Sequence, residues 1–452
     1  VNPKAQLLRE HAKRWTRVGW TDDQVRLWNS TARFVVVHAA RRCGKSDLAK
    51  RKLVRAAMKA KPRESETNYL FSAPTHQQAK RIFWKDAKAL IPKIAKRGTS
   101  EVDKTIHLWN GASVIVCGMD VAERIEGIPL SGAILDEYAN MKEDVWGHIY
   151  PMFSDPSLPT PGWAWLTGVP EGRNHYYRMH KKGLDPTQTD WETHGWSAEG
   201  ILSEATLAAA RNDFDSRLYA QEFGGEFVDF AGRAYYDFLA EIHAAETLTY
   251  DPTLPLVLAF DFNVEPGTAT ILQEQEYRGT NVQVAKRITA IIDEVWIPKN
   301  SNTPLVCKAI INKWSHHKGK VLCYGDAAGG NRSTSQTDGN DWDLIQQYLC
   351  PVFGDRLELN VAKANPLVKS RINATNNRIM NADRIARLLV DPAKCPHIVE
   401  DFEGVQLVEG TTDQLDKKTD KNLTHLTDGI GYYIFEKFPV FESSSQYSTS
   451  FY

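Results

Sequence analysis

The sequence predicts an α/β protein of two units, the first built on a mostly parallel, doubly wound sheet. Three observations carry this reading. The apolar run Phe34-Val-Val-Val37 leads into Gly44-Lys45-Ser46 and then a stretch of helix formers. A second apolar run, Ser131-Gly-Ala-Ile-Leu135, ends in Asp136-Glu137. A further series of apolar runs starts at Leu256, after the proline-punctuated Asp251-Pro-Thr-Leu-Pro255. Strands that alternate with helices imply a parallel sheet with ligands at the strands' carboxyl ends.

The first strand is short and β-branched, which suits a strand buried on both faces. From Asp47 the pattern turns helical, so a helix starting near Ser46 points unpaired N–H groups and its positive end at the turn. In this arrangement Gly44 and the backbone of Arg41, Arg42 and Cys43 cradle phosphates, Lys45 reaches the β and γ phosphates, and the Ser46 hydroxyl joins a Mg²⁺ shell. Ala39 stands where the first glycine of that motif belongs. The acid-ending strand supplies the second half: Asp136 to hold Mg²⁺, and Glu137 to polarise the attacking water. The residues thus point to ATP hydrolysis.

Between these motifs, Asn68–Thr75 reads as a strand followed by a helix from His76 to about Leu90. Ile106–Gly111 and Ala112–Cys117 read as strands joined at Asn110-Gly111, a hairpin signal, and Trp163–Gly168 as another strand. The second unit has apolar strands at Leu256–Asp261, Thr268–Gln273, Ala290–Ile297 and Val321–Asp326. Helices are expected at 303–317, 341–349, 366–382 and 424–437. Asp261 and Asp326 end strands and Asp428 lies early in a helix; carboxylates delivered this way converge on a pair of divalent ions. Glu294, on a neighbouring strand, is a candidate fourth ligand.

Composition sets bounds. The chain has 452 residues, 42% hydrophobic and 25% charged, with a formal charge of −1. This is the balance of a soluble globular protein, and any polyanion-binding surface must be a local patch. Lys417-Lys418-Thr-Asp-Lys421, with Lys363, Lys369, Arg371 and Arg378, is the candidate for such a patch. Cysteines at 43, 117, 307, 323, 350 and 395 show neither a Cys-x-x-Cys pair nor zinc spacing, so reduced thiols are expected. No apolar stretch approaches the roughly 18 residues of a membrane span, and the charged N-terminus reads as helical rather than as a signal. An intracellular protein without a membrane partner is expected.

The order of these elements resembles the large terminase subunits of tailed double-stranded DNA phages. The resemblance runs from Ala40-Arg-Arg-Cys-Gly-Lys-Ser46 through Ala73-Pro-Thr75 and Leu135-Asp-Glu137 to Leu166-Thr-Gly-Val-Pro-Glu-Gly-Arg-Asn-His-Tyr176. It continues in Tyr219-Ala-Gln-Glu-Phe-Gly-Gly-Glu-Phe-Val228 and His425-Leu-Thr-Asp-Gly-Ile-Gly-Tyr432. It implies a P-loop ATPase domain over 1–230, including a linker subdomain after about 190, then an RNase H-like nuclease over 250–440 and a flexible tail at 441–452. It implies that Gln24 reads adenine, that Arg42 or Arg124 stabilises the transferring phosphate, and that Thr167 and Gly168 couple nucleotide state to movement. The implied cofactors are ATP with Mg²⁺, and two Mg²⁺ or Mn²⁺ ions in the nuclease. The implied partners are concatemeric duplex DNA bound largely without regard to sequence, the portal protein and the small terminase subunit. A homo-oligomeric ring on the procapsid, in the host cytoplasm and absent from the mature virion, completes the expectation; the state of the isolated chain stays open. Two rivals are a helicase-like translocase fused to an RNase H-like nuclease and a nucleotide-gated scaffolding protein.

Overall fold

The computed structural model describes residues 20–440 except 62–66, 230–231, 246–247, 263–264, 331–339, 409–410 and 412–413. The expected tail at 441–452 lies outside the described residues. The chain forms two compact units, Val1–Leu207 with Ala220–Asp229, and Ala208–Tyr219 with Phe230–Tyr452.

The first unit holds eight strands: β1 (Phe34–Ala39), β2 (Thr67–Ala73), β3 (Lys96–Ser100), β4 (Thr105–Leu108), β5 (Ala112–Gly118), β6 (Leu130–Asp136), β7 (Trp163–Gly168) and β8 (Trp191–Trp196). Their order is β3-β4-β5-β2-β6-β7-β1-β8. From β5 to β8 all neighbours are parallel, and β3 and β4 add an antiparallel edge. Alternation along β1 feeds both faces. Val35 and Val37 pack with Leu48, Leu53 and Trp165 on one side, and Phe34 and Val36 with Trp146, Ile149 and Phe153 on the other. This is why β1 reads as an unbroken apolar run.

Two segments differ from the expected organisation. Trp191–Trp196, expected to fall in a linker subdomain, is edge strand β8, paired in register with Phe34–Ala39. Ala208–Tyr219 belongs to the second unit. The half-exposed Trp-Glu-Thr-His-Gly-Trp of β8 and the alternately exposed Lys-Arg-Gly-Thr-Ser of β3 lack the buried run that makes a central strand visible in sequence.

The second unit carries β9 (Leu256–Asp261), β10 (Gly267–Glu276), β11 (Val284–Ile297), β12 (Val321–Gly325), β13 (Leu357–Leu359) and β14 (Ala386–Val390), ordered β13-β12-β9-β10-β11-β14. The three strands β9-β10-β11 form an antiparallel meander, while β12 runs parallel to β9 and β14 parallel to β11. Helices Thr303–Trp314, Asp341–Phe353, Val368–Ile379, Pro396–Gly404 and His425–Lys437 accompany the sheet. Asn302 and Asn340 cap two of them, each accepting a backbone N–H three residues on. No disulfide joins any of the six cysteines. Among the described residues no helix is long and apolar enough to cross a membrane.

Candidate functional site

In the first unit the site forms where β1 stops. The chain leaves Ala39, turns with Arg42 and Gly44 in the left-handed region (φ 58° and 82°), and enters the helix Lys45–Lys59. No side chain caps that helix, so its first N–H groups are available to an anion. Gly44 is required on two counts: its φ, and a Cβ there would lie 3.1 Å from Gln24 Nε2.

The turn is fastened from outside. Gln24 Nε2 donates to the Cys43 carbonyl at 2.9 Å and Trp196 Nε1 donates to the same oxygen at 3.0 Å. Gln24 also accepts from Thr21 N–H at 3.2 Å through its Oε1. It is buried, so it is not a helix-surface residue. Arg41 pairs with Glu222, whose carbonyl also accepts the Arg41 N–H at 2.9 Å. Arg42 is exposed. Arg124 belongs to the irregular 3₁₀ segment Met119–Ile125, and its side chain lies outside the described residues.

Lys45 is buried and donates to the carbonyls of Ala39 and Ala40, both at 3.0 Å. Burial lowers its pKa, and the nearby Glu137 and Asp136 oppose that shift. Asp136 ends β6 fully buried. Its Oδ1 accepts from Ser46 Oγ at 3.2 Å and from Thr167 Oγ1 at 2.5 Å, while its Oδ2 is buried with no hydrogen-bond partner. An ionised oxygen left alone in the interior is costly. Together with the Ser46 hydroxyl it forms the hard oxygen set that Mg²⁺ takes, so the residues fit that ion. Glu137 follows in a left-handed backbone conformation, φ 56°. Burial and the adjacent Asp136 raise its pKa, against Lys45 and Arg41. Thr167 thus touches the acid directly, and Gly168 pairs with His38 on β1. Sequence reasoning missed Trp196 and the Arg41 partner Glu222, because neither sits in a phosphate motif.

In the second unit, Gly325 pairs with Phe260 in the parallel register of β12 on β9. Asp261 and Asp326 therefore leave two adjacent strands at the same end. Asp428 arrives on the helix His425–Lys437, which lies close on β9: a Cβ on Gly429 would be 3.3 Å from the Ala259 carbonyl oxygen. The Tyr432 phenol, chiefly desolvated, has its pKa raised further by Asp326, Asp261 and Asp428 together.

Each of these acids has partners. Asp428 Oδ1 accepts from Arg371 Nη2 and Oδ2 from Lys417 Nζ, both at 2.7 Å. Asp261 Oδ2 meets His425 Nδ1 at 3.0 Å, and His425 Nε2 lies 2.9 Å from the Lys421 carbonyl. Asn365 Nδ2 donates to Asp326 Oδ1 at 2.7 Å. Asp401 steadies the helix start, accepting the Leu426 and Thr427 N–H groups at 3.1 Å; burial pushes its carboxyl up to about 7. The oxygens of the three aspartates are not drawn into a ready cage: among the described residues no group of three His, Cys, Asp or Glu side chains is arranged to hold a metal ion. Their donor set still fits a hard divalent cation, because all three supply carboxylate oxygens, with Arg371 and Lys417 now neutralising Asp428 in its place.

Two expectations are corrected here. Glu294 does not join the aspartates. Its Oε1 takes His397 Nδ1 at 2.5 Å and His397 N–H at 3.2 Å, and its Oε2 takes Ile398 N–H at 3.0 Å, so it anchors the start of the helix Pro396–Gly404. It lies on β11, separated from β9 by β10. Arg371 and Arg378 are not surface cations either. Both are buried, the second on Glu274 and Thr289.

Residues 36–146 match the family model described as terminase large subunit, T4likevirus-type, N-terminal. No curated protein matches the sequence. Among solved structures, the large terminase of a thermophilic bacteriophage is 15% identical with a TM-score of 0.52, covering 93% of this chain and 99% of that one. A further crystal form of the same terminase gives 16% and 0.50 over 92% and 99%. The large terminase ATPase domain of Thermus phage P74-26 is 22% identical over 46% of this chain and 94% of that one, with a TM-score of 0.40. Over residues 36–146 the chain is thus similar to the large-terminase family, and over nearly its whole length it shares the fold of a solved large terminase.

Proposed function

We propose that this chain is the large subunit of a phage DNA-packaging terminase, its first unit an ATPase that drives duplex DNA into procapsids and its second a nuclease that cuts the concatemer. The observation that carries the reading is Asp136, held between the P-loop Ser46 and Thr167 with its second oxygen buried and unpartnered. A terminal acid so placed suits nucleotide hydrolysis and gives no advantage to a solvated turn.

In this reading the triphosphate lies against the uncapped N-terminus of the helix Lys45–Lys59, and Lys45 exchanges its two carbonyl bonds for phosphate oxygens. Gln24 sits against the turn where a base can be read. Glu137 orients water at the γ-phosphate. Ser46 and Asp136 would hold Mg²⁺, which supplies charge neutralisation on the phosphates. Thr167 reports the state of Asp136 to β7. Arg42 is available to charge building on the phosphate, and Arg124 is the candidate finger towards a neighbouring copy in a ring.

In the second unit Asp261, Asp326 and Asp428 would hold two Mg²⁺ or Mn²⁺ ions, whose charge would favour cleavage of a phosphodiester. Exposed Lys363, Lys418 and Lys421 suit phosphate contacts that ignore base sequence. Portal protein and small terminase subunit are the proposed partners, in the host cytoplasm. Plasmid digestion by the purified chain with Mn²⁺, with and without ATP and beside Asp326→Ala, tests the reading. Cutting that needs Asp326 supports it; intact plasmid under every condition rejects the nuclease half.

A further inference from the structure

Asp428 has both carboxylate oxygens paired to cations, and the two cations differ in kind. The Arg371 side chain is 5% exposed and that of Lys417 is 55% exposed, each 2.7 Å from its own oxygen.

Arg371 is built in. It rises from the helix Val368–Ile379, its guanidinium lies 4.4 Å from the Tyr432 ring centroid, and its stem crosses Gly431. A Cβ on Gly431 would fall 2.6 Å from Arg371 Cγ. The glycine therefore leaves a channel for the arginine stem, and the guanidinium fixes Oδ1.

Lys417 is merely extended. Its backbone is set by the Asp416 N–H bond to the Gln406 carbonyl at 2.9 Å, by the bridge between Leu407 and Leu415, and by Asp416 accepting the Lys418 and Thr419 N–H groups. Only the four-carbon stem spans to Oδ2, and that stem swings without disturbing the loop.

We infer that Lys417 is the exchangeable counter-cation of the nuclease centre: it neutralises Asp428 Oδ2 until a divalent ion displaces it, while Arg371 stays and presents that single oxygen. The inference rests on the nuclease reading of Asp261, Asp326 and Asp428. Its physical basis is that an ammonium and a divalent ion repel each other at one carboxylate oxygen, so metal uptake must include the cost of moving Lys417. Arg371 also opposes the ion electrostatically, but it occupies the other oxygen and leaves Oδ2 open to exchange, so its contribution is the same with or without Lys417.

The test is Mn²⁺ titration of the full chain by calorimetry, with no DNA and no nucleotide, and with Asp428→Asn identifying the heat that belongs to this centre. Lys417→Met should bind Mn²⁺ about five- to tenfold tighter at that centre, and Lys417→Arg should return to the wild-type value. Unchanged or weaker Mn²⁺ binding in Lys417→Met overturns the exchange while leaving the nuclease reading intact. Absence of any Mn²⁺ heat that depends on Asp428 overturns the nuclease reading and this inference with it.

Discussion

The Thr167 hydroxyl donates to Asp136 Oδ1 at 2.5 Å, from the position on β7 that pairs directly with Asp136 on β6. The residue expected to couple nucleotide state to movement therefore touches the acid expected to hold the nucleotide's metal. One hydrogen bond thus joins Asp136 to β7, and the next residue, Gly168, pairs with His38 on β1.

Thr167→Val keeps the shape and removes the donor, leaving Asp136 with Ser46 alone. Losing a buried bond to a charged group costs about 1–3 kcal/mol, so kcat for ATP hydrolysis should fall about tenfold with KM little changed. Thr167→Ser should restore it. An unchanged kcat in Thr167→Val would dismiss the contact as incidental.

The two centres should separate by mutation. Lys45→Ala or Glu137→Gln should bring ATP turnover to background while Mn²⁺-dependent nicking of plasmid persists; Asp326→Ala should do the reverse. Both activities vanishing in one correctly folded variant would contradict independent centres.

Gly431→Ala should damage the second unit. The added methyl meets the Arg371 stem at 2.6 Å, and overpacking of this kind costs about 1–3 kcal/mol. Urea unfolding should register that loss, with DNA cutting reduced as Arg371 leaves Asp428. A variant as stable and as active as wild type would show that the arginine has another path.

Asp215 gives a pH signature. It is fully buried, accepts the Arg217 and Leu218 N–H groups at 3.0 Å, and burial pushes its carboxyl up to about 6. An unfolded aspartate titrates near about 3.9, so the folded state keeps its proton longer. Its contribution is therefore fully present below about pH 4 and lost as pH rises through about 6, an effect of about 3 kcal/mol. Asp215→Asn stays in the neutral form, so it should gain stability relative to wild type between about pH 4.5 and 7. A stability difference that does not vary with pH would refute the shift.

Much of this was legible from residues 33–46 and 131–137, because buried parallel strands must be apolar throughout and phosphate turns need glycine, lysine and hydroxyl at fixed spacing. The strand ends Asp261 and Asp326, and the helix start at Asp428, were readable for the same reason. The polar edges β3 and β8 were not, since their largely polar residues lack the buried apolar run that marks a central strand. Glu294 misled because an acid on a strand looks the same whether it serves a cluster or a helix N-terminus. Arg371 and Arg378 misled because a buried arginine and a solvated one are the same letter.

The order of elements and the identity of the acids and the phosphate turn are local matters, set by side-chain type and spacing along the chain. Partner choice is not local. Whether Asp428 meets Arg371, Glu294 meets His397, or Trp196 meets the Cys43 carbonyl depends on bringing together residues 57, 103 and 153 positions apart. Only the packing of helices on sheets fixes those distances, because charge and hydrogen bonding act over a few ångströms of space and are indifferent to separation in sequence.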